Sequence, residues 1–182
     1  MIEGTKTYLV PYESSDYGLI VKWHKDPLFD DVMSDEVREK GETDIVPWYN
    51  QFFPPQGRIF MGMAKKGSKF VKIGVVALAH IDWKNRKAEL FGGIGEKEYR
   101  ASGHGIDAIE TVVNWSRKQL GLHRIYAIVK AHNEPAIRSL SEAGFRREGD
   151  MKDAHFQDGN FINKVMMASV PEKYTLGHKR RQ

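Results

Sequence analysis

The hydrophobic residues between positions 58 and 94 fall into three runs that predict β-strands. The runs cover 58–64, 70–82 and 88–94, and turn-forming residues separate them at Lys66-Gly67-Ser68 and Lys84-Asn85. Runs of this length between turns predict three strands in an antiparallel meander. An earlier run over 6–11 predicts a short edge strand.

Beyond Gly105 the spacing of the apolar residues changes to that of a helix. Apolar residues recur three or four positions apart at Ile106, Ile109, Val112, Val113 and Leu120. This spacing predicts a helix with one buried face. The β-branched run 124–129 then predicts a strand. Because a strand, a helix and a second strand normally form a right-handed crossover, we expect this strand to lie parallel to 88–94.

The last part of the chain predicts one more helix and a hairpin. Asn133 is a preferred N-cap residue, Pro135 suits the first turn, and Gly144 suits the helix end. The runs on either side of 157–160 predict a final antiparallel pair. We therefore expect an α/β (α+β) fold, with a central mixed, mostly antiparallel sheet of about seven strands flanked by helices.

Residues 26–55 form the least regular part of the chain and are typical of a substrate loop. Acidic residues are frequent from Asp30 to Asp44. They would attract a cationic molecule if they border a cleft. The alternative is that they form the solvated face of a helix. Several aromatic residues could line an acceptor pocket or belong to the core. They are Trp23, Trp48, Tyr49, Phe52 and Phe53.

Length and composition indicate one globular domain. The chain has 182 residues, of which 41% are hydrophobic and 29% charged, so we expect a single domain over 1–175 and a basic tail over 176–182. No apolar run is long enough to span a membrane, and the chain starts without the apolar core of a secretion signal. Cysteine is absent, which excludes thiolate nucleophiles and cysteine metal sites. These features predict a cytoplasmic protein without a membrane partner.

The net charge of +4 is weak evidence for a nucleic-acid partner, because much of the excess lies in the tail. A solvated terminus is the simpler interpretation of that tail. A nucleic-acid-binding module therefore ranks third among the functions considered.

The junction between the third meander strand and the long helix carries the candidate chemistry. Residues from Glu98 to Gly105 form a glycine-containing loop directly before the helix. A helix start offers unpaired N–H groups and partial positive charge, and glycines allow close approach of an anion, so the loop predicts a phosphate site. A dinucleotide site is disfavoured because the strand ending at Ala131 lacks a carboxylate for a ribose. No Gly-Lys-Ser/Thr follows the loop, which disfavours a Walker-type site.

Three short motifs occur in order along the second half of the chain. They are Arg100-x-x-Gly103-x-Gly105, Asn133-Glu134-Pro135-Ala136 and Ala143-Gly144-Phe145. With their predicted strands and helices, they make the chain resemble the GNAT family of acetyl-CoA-dependent N-acetyltransferases. Further segments are similar to the branch that contains ribosomal-protein N-terminal acetyltransferases and spermidine acetyltransferases. These segments are Trp23–Pro27, Ile81–Trp83, Ala88–Leu90 and Arg147–Met151.

The resemblance implies acetyl-CoA, or coenzyme A, as cosubstrate and no metal. Backbone N–H groups of the loop would hold the pyrophosphate, and the pantetheine arm would lie where strands 91–95 and 126–130 splay apart. Gly92 and Gly93 then indicate a bulge or a close backbone approach, with a tolerated kink as the alternative. Asn133 would both cap its helix and contact the pantetheine. The implied cofactor-binding residues are Ile94, Arg100, Ala101, Ser102, Gly103, His104, Gly105 and Asn133.

The implied reaction is direct attack of a primary amine on the thioester in a ternary complex. The amine must lose a proton, and Glu89 stands where family members often carry a carboxylate. Asp82 and His80 are competing candidates, and each of the three could instead be structural. The oxyanion would meet a backbone N–H near Ile94, at the expected bulge.

The proton donor for the leaving thiolate departs from the family pattern. Many members use a tyrosine where this chain has Leu140. Ser139 is the neighbouring hydroxyl and a third candidate catalytic residue, but one step along a helix turns a side chain by about 100°. Water could suffice, because a thiolate is a tolerable leaving group.

We therefore expect an N-acetyltransferase whose acceptor is a protein N-terminus, a polyamine or another small amine. The alternative is a CoA-binding regulatory or structural domain without transferase activity, which Leu140 suggests. A homodimer is left open.

Overall fold

The computed structural model describes residues 1–31, 57–66 and 68–171. Within these residues, no helix is both long and apolar enough to cross a membrane. The described part contains eight strands and four α-helices. They are β1 Ile2–Glu3, β2 Thr7–Pro11, α1 Tyr17–His24, α2 Pro27–Asp30, β3 Arg58–Lys66, β4 Lys69–Asp82, β5 Lys87–Ile94, α3 His104–Gln119, β6 Arg124–Lys130, α4 Glu134–Glu142, β7 Arg146–Gln157 and β8 Asn160–Ser169.

All eight strands form one sheet in the order β1-β2-β3-β4-β5-β6-β8-β7. Neighbouring strands are antiparallel except β5 and β6, which are parallel. The predicted meander, crossover and final hairpin are therefore confirmed. The expectation that residues 6–11 form an edge strand is wrong, because β1 pairs outside β2 through Ile2–Leu9 and Glu3–Tyr8.

The sheet buries a hydrophobic layer on each face, because alternate side chains of a strand point to opposite sides. On one face, Ala88 and Leu90 of β5 pack with Val112 of α3 and Leu140 of α4. On the other face, the side chains of α1 and α2 cover β3 and β4. This second layer contains Ile20, Trp23, Phe29, Met61, Val75 and Ala77, with Phe91 packed against it. Glu89 lies between Ala88 and Leu90 in β5, so it shares the second face with Phe91.

Asp107 attaches the start of α3 to the N-terminal strands. Its carboxylate accepts hydrogen bonds from the N–H groups of Thr5, Lys6 and Thr7 at 2.8, 3.0 and 2.7 Å, and from the Thr7 hydroxyl at 2.5 Å. Burial alone would raise the pKa of Asp107, but these hydrogen bonds outweigh it and hold the pKa below its usual value. A carboxylate in the first turn also interacts favourably with the helix dipole. The helix start is thus held in place from outside its own segment.

The short helix α4 begins and ends as the sequence predicts. Asn133 Oδ1 accepts a hydrogen bond from the Ala136 N–H at 3.1 Å, and Pro135 lies in the first turn. Gly144 follows the helix end with φ +83°, a conformation that favours glycine. Leu140 is only 4% exposed and belongs to the layer under α3 and α4.

Candidate active site

The parallel strands β5 and β6 separate partway along their length. They pair only at Lys87–Arg124, Ala88–Ile125 and Glu89–Tyr126. Beyond these pairs, β5 continues to Ile94 on β4, and β6 continues to Lys130 on β8. The two strands therefore leave a V-shaped gap that opens toward the loop before α3. This is the splayed parallel pair expected from the family resemblance.

Gly92, in the glycine pair of β5, lies at a close backbone approach. Gly92 has φ +144°, and a Cβ atom there would lie 2.2 Å from the Val75 carbonyl oxygen of β4. The register between β4 and β5 runs without a shift from Gly74–Ile94 to Ala79–Glu89. Of the two alternatives, a bulge or a close backbone approach, the structure shows the close approach at Gly92 and no register shift near Ile94.

The bulge in this strand pair lies on β4, at the opposite end of β5. The register shifts between Ala79–Glu89 and Asp82–Lys87, so that His80 and Ile81 together oppose Ala88. His80 has φ +49°, and its Nδ1 lies 2.9 Å from Oε2 of Glu89. The structure thus brings together two of the three candidate bases.

The third candidate base, Asp82, has partners in the turn between β4 and β5. Its carboxylate accepts hydrogen bonds from the side-chain amide and the N–H of Asn85, at 2.7 and 2.8 Å. These hydrogen bonds lower the pKa of Asp82. This environment explains the residue as a turn-stabilising carboxylate.

The loop before α3 presents a helix start without a side-chain cap. Ala101 has φ +54°, and Gly103, with φ +85°, is the N-cap residue. The first helical hydrogen bond runs from the N–H of Asp107 to the Gly103 carbonyl, at 3.0 Å. The N–H groups of His104, Gly105 and Ile106 come before it and have no partner within the helix. A group of N–H donors at a helix start suits a phosphate.

The protein leaves room for a Cβ atom at Gly105. A Cβ atom at this position would be 3.7 Å from the nearest non-neighbouring atom, Cγ1 of Ile94. This distance is an ordinary contact, so the fold alone does not require glycine here. Gly103 differs, because its left-handed φ itself favours glycine.

Arg100 shapes the loop through its side chain. Its Nε and Nη2 donate to the carbonyls of Ile94 and Gly95 at 2.8 and 3.1 Å, and its Nη1 lies 2.9 Å from Asp26 Oδ2. The N–H of Arg100 donates to the Lys97 carbonyl at 3.1 Å. Arg100 therefore connects the end of β5 to the N-cap residue of α2.

Lys6 is a residue of this site that sequence reasoning missed. Its ammonium donates to the Ser102 carbonyl at 2.9 Å, across 96 positions of sequence. Ser102 Oγ donates to the Tyr99 carbonyl at 2.5 Å and lies 2.7 Å from His104 Nδ1. Burial, followed by the charge of Lys6, lowers the pKa of the His104 imidazole. No local sequence pattern predicts this placement of Lys6.

The face around Glu89 also contains an unpredicted tyrosine. Tyr126 is the last β6 residue paired with β5, and alternation places it on the same face as Glu89. Burial, followed by the charge of Glu89, raises the pKa of the Tyr126 phenol. Arg124 lies with its guanidinium carbon 5.9 Å from the Tyr126 ring centre and forms an ion pair with Glu148.

Asn133 has protein partners at both ends of its side-chain amide. Besides capping α4, its Nδ2 lies 3.3 Å from Asp31 Oδ2. Asp31 also accepts a hydrogen bond at 2.6 Å from Lys130, which is 4% exposed and donates to Gln157 Oε1 at 2.7 Å. These contacts join the end of α2 to the far end of β6.

Ser139 points away from the core that contains Leu140. It is half-buried on α4, and its hydroxyl donates to the Pro135 carbonyl at 2.9 Å. Its role as proton donor stays a prediction. The described residues therefore offer no side chain on α4 that clearly replaces the family tyrosine.

Trp23 belongs to the core, which is one of the two interpretations the sequence left open. It is 2% exposed, its Nε1 donates to Glu96 Oε1 at 2.9 Å, and its ring leaves no room for a Cβ at Gly95. The aromatic residues at 48, 49, 52 and 53, most of the acidic segment and the basic tail lie outside the described residues. In the part that is described, no three His, Asp or Glu side chains are grouped as metal ligands would be.

The family model "Acetyltransferase (GNAT) domain" matches residues 6–146. The chain therefore belongs to the GNAT acetyltransferase family. It is 32% identical over 108 residues to spermidine N(1)-acetyltransferase of Escherichia coli (strain K12), across 59% of this chain and 58% of that protein. It is 26% identical over 129 residues to [ribosomal protein uS5]-alanine N-acetyltransferase of the same strain, across 70% of this chain and 66% of that protein. The chain thus spans about three fifths of the first of these relatives.

A solved structure shares the fold over nearly its whole length. The spermidine N-acetyltransferase from Vibrio cholerae in complex with CoA and spermine superposes with a TM-score of 0.81 at 22% identity, over 94% of this chain and 99% of that one. Both the predicted fold class and the predicted family branch are confirmed.

Proposed function

We propose that this protein transfers an acetyl group from acetyl-CoA to a primary amine by direct attack in a ternary complex. The observation that carries the proposal is the gap between β5 and β6, which has Glu89 at its closed end and the uncapped start of α3 at its open end. Acetyl-CoA matches this gap, because its thioester would lie near Glu89 and its pyrophosphate would lie at the start of α3.

The loop and helix start would bind the pyrophosphate of the donor. The backbone N–H groups from Ala101 to Gly105 supply hydrogen-bond donors, and the helix dipole and the Lys6 ammonium favour negative charge. Arg100 would act mainly by fixing the loop through its contacts with Ile94, Gly95 and Asp26. Gly105 fits this role, since its open side allows a phosphate to approach the backbone.

The pantetheine arm would lie in the gap and pair with unpaired backbone groups, as an added strand does. Asn133 stands beside the end of β6 and would border this arm while capping α4. Ile94 is five residues from Glu89, or roughly 16 Å along the strand at about 3.3 Å per residue. We therefore assign the oxyanion contact to an N–H of β5 between Leu90 and Ile94 that faces the gap.

Glu89 would accept the proton that the amine loses. Side-chain and terminal amines titrate near 10.4 and 8, so a base must remove a proton before or during attack. The amine nitrogen attacks the thioester carbon, the amide bond forms, and the C–S bond breaks. Leu140 cannot protonate the leaving thiolate, so water would supply this proton, with the Ser139 hydroxyl as the other candidate.

The acceptor class is a primary amine. The named relatives act on spermidine or on the alanine of ribosomal protein uS5. We propose the same two classes, a polyamine or a protein N-terminus, together with other small amines as candidate acceptors. The acidic residues 30–44 favour a cationic acceptor by charge alone. A cytoplasmic location stays a prediction.

Replacing Glu89 tests the assignment of the base. We expect Glu89→Gln to lower kcat about 100-fold, because an amide cannot accept the proton, while the Kd for CoA changes less than about twofold. Asp82→Asn is the comparison variant, and we expect a small change in kcat because Asp82 serves the turn. A larger loss of kcat in Asp82→Asn than in Glu89→Gln would contradict the assignment.

The buried Leu140 at the usual tyrosine position favours a second candidate, a CoA-binding regulatory or structural domain without transferase activity. Tight CoA binding without acetyl transfer to any amine would favour this candidate over the enzyme.

A further inference from the structure

The bulge in β4 reverses the side-chain alternation of the strand. Val76 and Leu78 face the core under α3 and α4, so regular alternation would place His80 in that core as well. The bulge inserts one residue, and Ile81 occupies the core position instead, at 5% exposure. His80 is thereby left outside the core. One extra residue therefore converts a buried position into one that reaches the second face of the sheet.

The backbone at His80 adopts a conformation that its side chain disfavours. Its φ is +49°, in the left-handed region, where a Cβ atom is crowded by the backbone. Such conformations persist when surrounding structure holds them, and they are frequent at functional sites. The contacts of the His80 imidazole therefore bear on its function.

The imidazole reaches the carboxylate at the closed end of the gap. His80 Nδ1 lies 2.9 Å from Glu89 Oε2, and the two side chains are 55% and 23% exposed. Ala79, the residue before His80, is the direct cross-strand partner of Glu89. A hydrogen bond at Oε2 restricts rotation of the carboxylate and directs Oε1 to the incoming amine.

We propose that His80 is a positioning residue for Glu89 and that the β4 bulge serves to place it there. This inference rests on the proposed function, because it assigns Glu89 as the base. In this role His80 acts through the orientation of Glu89 and not by binding a substrate itself. Loss of the His80 imidazole should therefore lower kcat and leave the KM for the amine and the Kd for CoA nearly unchanged.

Two substitutions at His80 separate the imidazole from the backbone conformation. His80→Gly accepts φ +49° without strain and removes the hydrogen bond. His80→Asn tolerates the same φ and keeps a short side chain that can hydrogen-bond to the carboxylate. We expect His80→Gly to lower kcat about tenfold, with the KM for the amine and the Kd for CoA within about twofold, and His80→Asn to restore at least half of the wild-type kcat.

Asp153→Gly is the matched control, because Asp153 also has φ +49° at an irregular register in an edge strand far from Glu89 in sequence. Its kcat should equal that of the wild type. Wild-type kcat in His80→Gly, or equal impairment of His80→Asn and His80→Gly, would overturn the proposal. Failure of the proposed function is a different result, namely a wild-type protein without amine-dependent turnover.

The contact can also be tested without activity. In wild-type protein labelled with ¹⁵N-histidine, we expect the ring nitrogen resonances of His80 to shift on Glu89→Gln substitution. Unchanged His80 resonances in that variant would overturn the proposal, even if His80→Gly failed to fold.

Discussion

Gly103 and Gly105 lie two residues apart at the start of α3, but the fold makes different demands on them. Gly103 has φ +85°, so any other residue there strains the backbone itself. Gly105 is helical and leaves ordinary contact distance for a Cβ atom, so its lack of a side chain points to a ligand. A substitution at Gly105 can therefore separate binding from folding, whereas one at Gly103 cannot.

We expect Gly105→Ala to weaken CoA binding at least tenfold, because the added methyl group occupies the side from which the pyrophosphate approaches. The free energy of unfolding should stay the same or rise by about 0.5–1 kcal/mol, since alanine is the better helix former. Isothermal titration with CoA and thermal unfolding would measure the two quantities. Gly18→Ala in α1, where a Cβ atom meets nothing within 4 Å, is the matched control and should leave CoA binding unchanged. Equal CoA affinity in Gly105→Ala and wild type would contradict the placement of the pyrophosphate.

Individual residues were predictable where their role depends on local sequence. Asn133 caps α4 and Gly144 ends it because capping involves residues only a few positions apart. Lys6 at the loop and His80 against Glu89 were not predictable as contacts, because their positions depend on strand order and on a bulge. Glu89 was thus identified from the sequence as a candidate base, which stays a prediction, but its contact with His80 was not predictable.

At the scale of elements, the orientation of α3 depends on one buried carboxylate. Asp107 is 7% exposed and accepts four hydrogen bonds from Thr5, Lys6 and Thr7, at the entry to β2. We expect Asp107→Asn to lower the free energy of unfolding at pH 7 by about 2 kcal/mol, because an amide leaves some of these buried donors unpaired. Glu110→Gln, at an exposed position of the same helix, should have little effect.

The lowered pKa of Asp107 also predicts how this difference depends on pH. A carboxyl group whose pKa is lower in the folded than in the unfolded state stabilises the protein fully above the unfolded pKa, near 3.8. That contribution is lost as the pH falls through the folded pKa. Urea unfolding of wild type and Asp107→Asn should therefore give a constant difference from pH 7 to about pH 5 and a smaller one below pH 4. A difference that grows on acidification would show that Asp107 is not held as a carboxylate.

The elements were predictable where hydrophobic period and turn residues agreed, as in β3 to β5, α3 and the final hairpin. Two features were not. The outer strand β1 has two residues, too few for a periodic pattern. The bulge on β4 had no glycine to indicate it, and the glycines of β5 left a bulge and a close backbone approach open, because glycine marks both.

At the scale of the whole molecule, different helices pack on the two faces of the sheet. One face carries α3, whose start is the proposed donor site, and α4, and the other face carries α1, α2 and the side chain of Glu89. The gap between β5 and β6 opens the sheet between these two faces. Family membership follows from the match over residues 6–146 and agrees with this architecture. Two relatives of this chain are named for different acceptors, spermidine and the alanine of ribosomal protein uS5, so family membership alone does not identify the acceptor.

Release of free thiol from acetyl-CoA, measured with and without a panel of polyamines, N-terminal peptides and amino sugars, tests the central claim most directly. We predict that at least one primary amine raises thiol release at least tenfold above the rate without an amine, and that the product carries the acetyl group on nitrogen. A protein that binds CoA but releases thiol at the same rate with every amine as without one would contradict the proposed transfer.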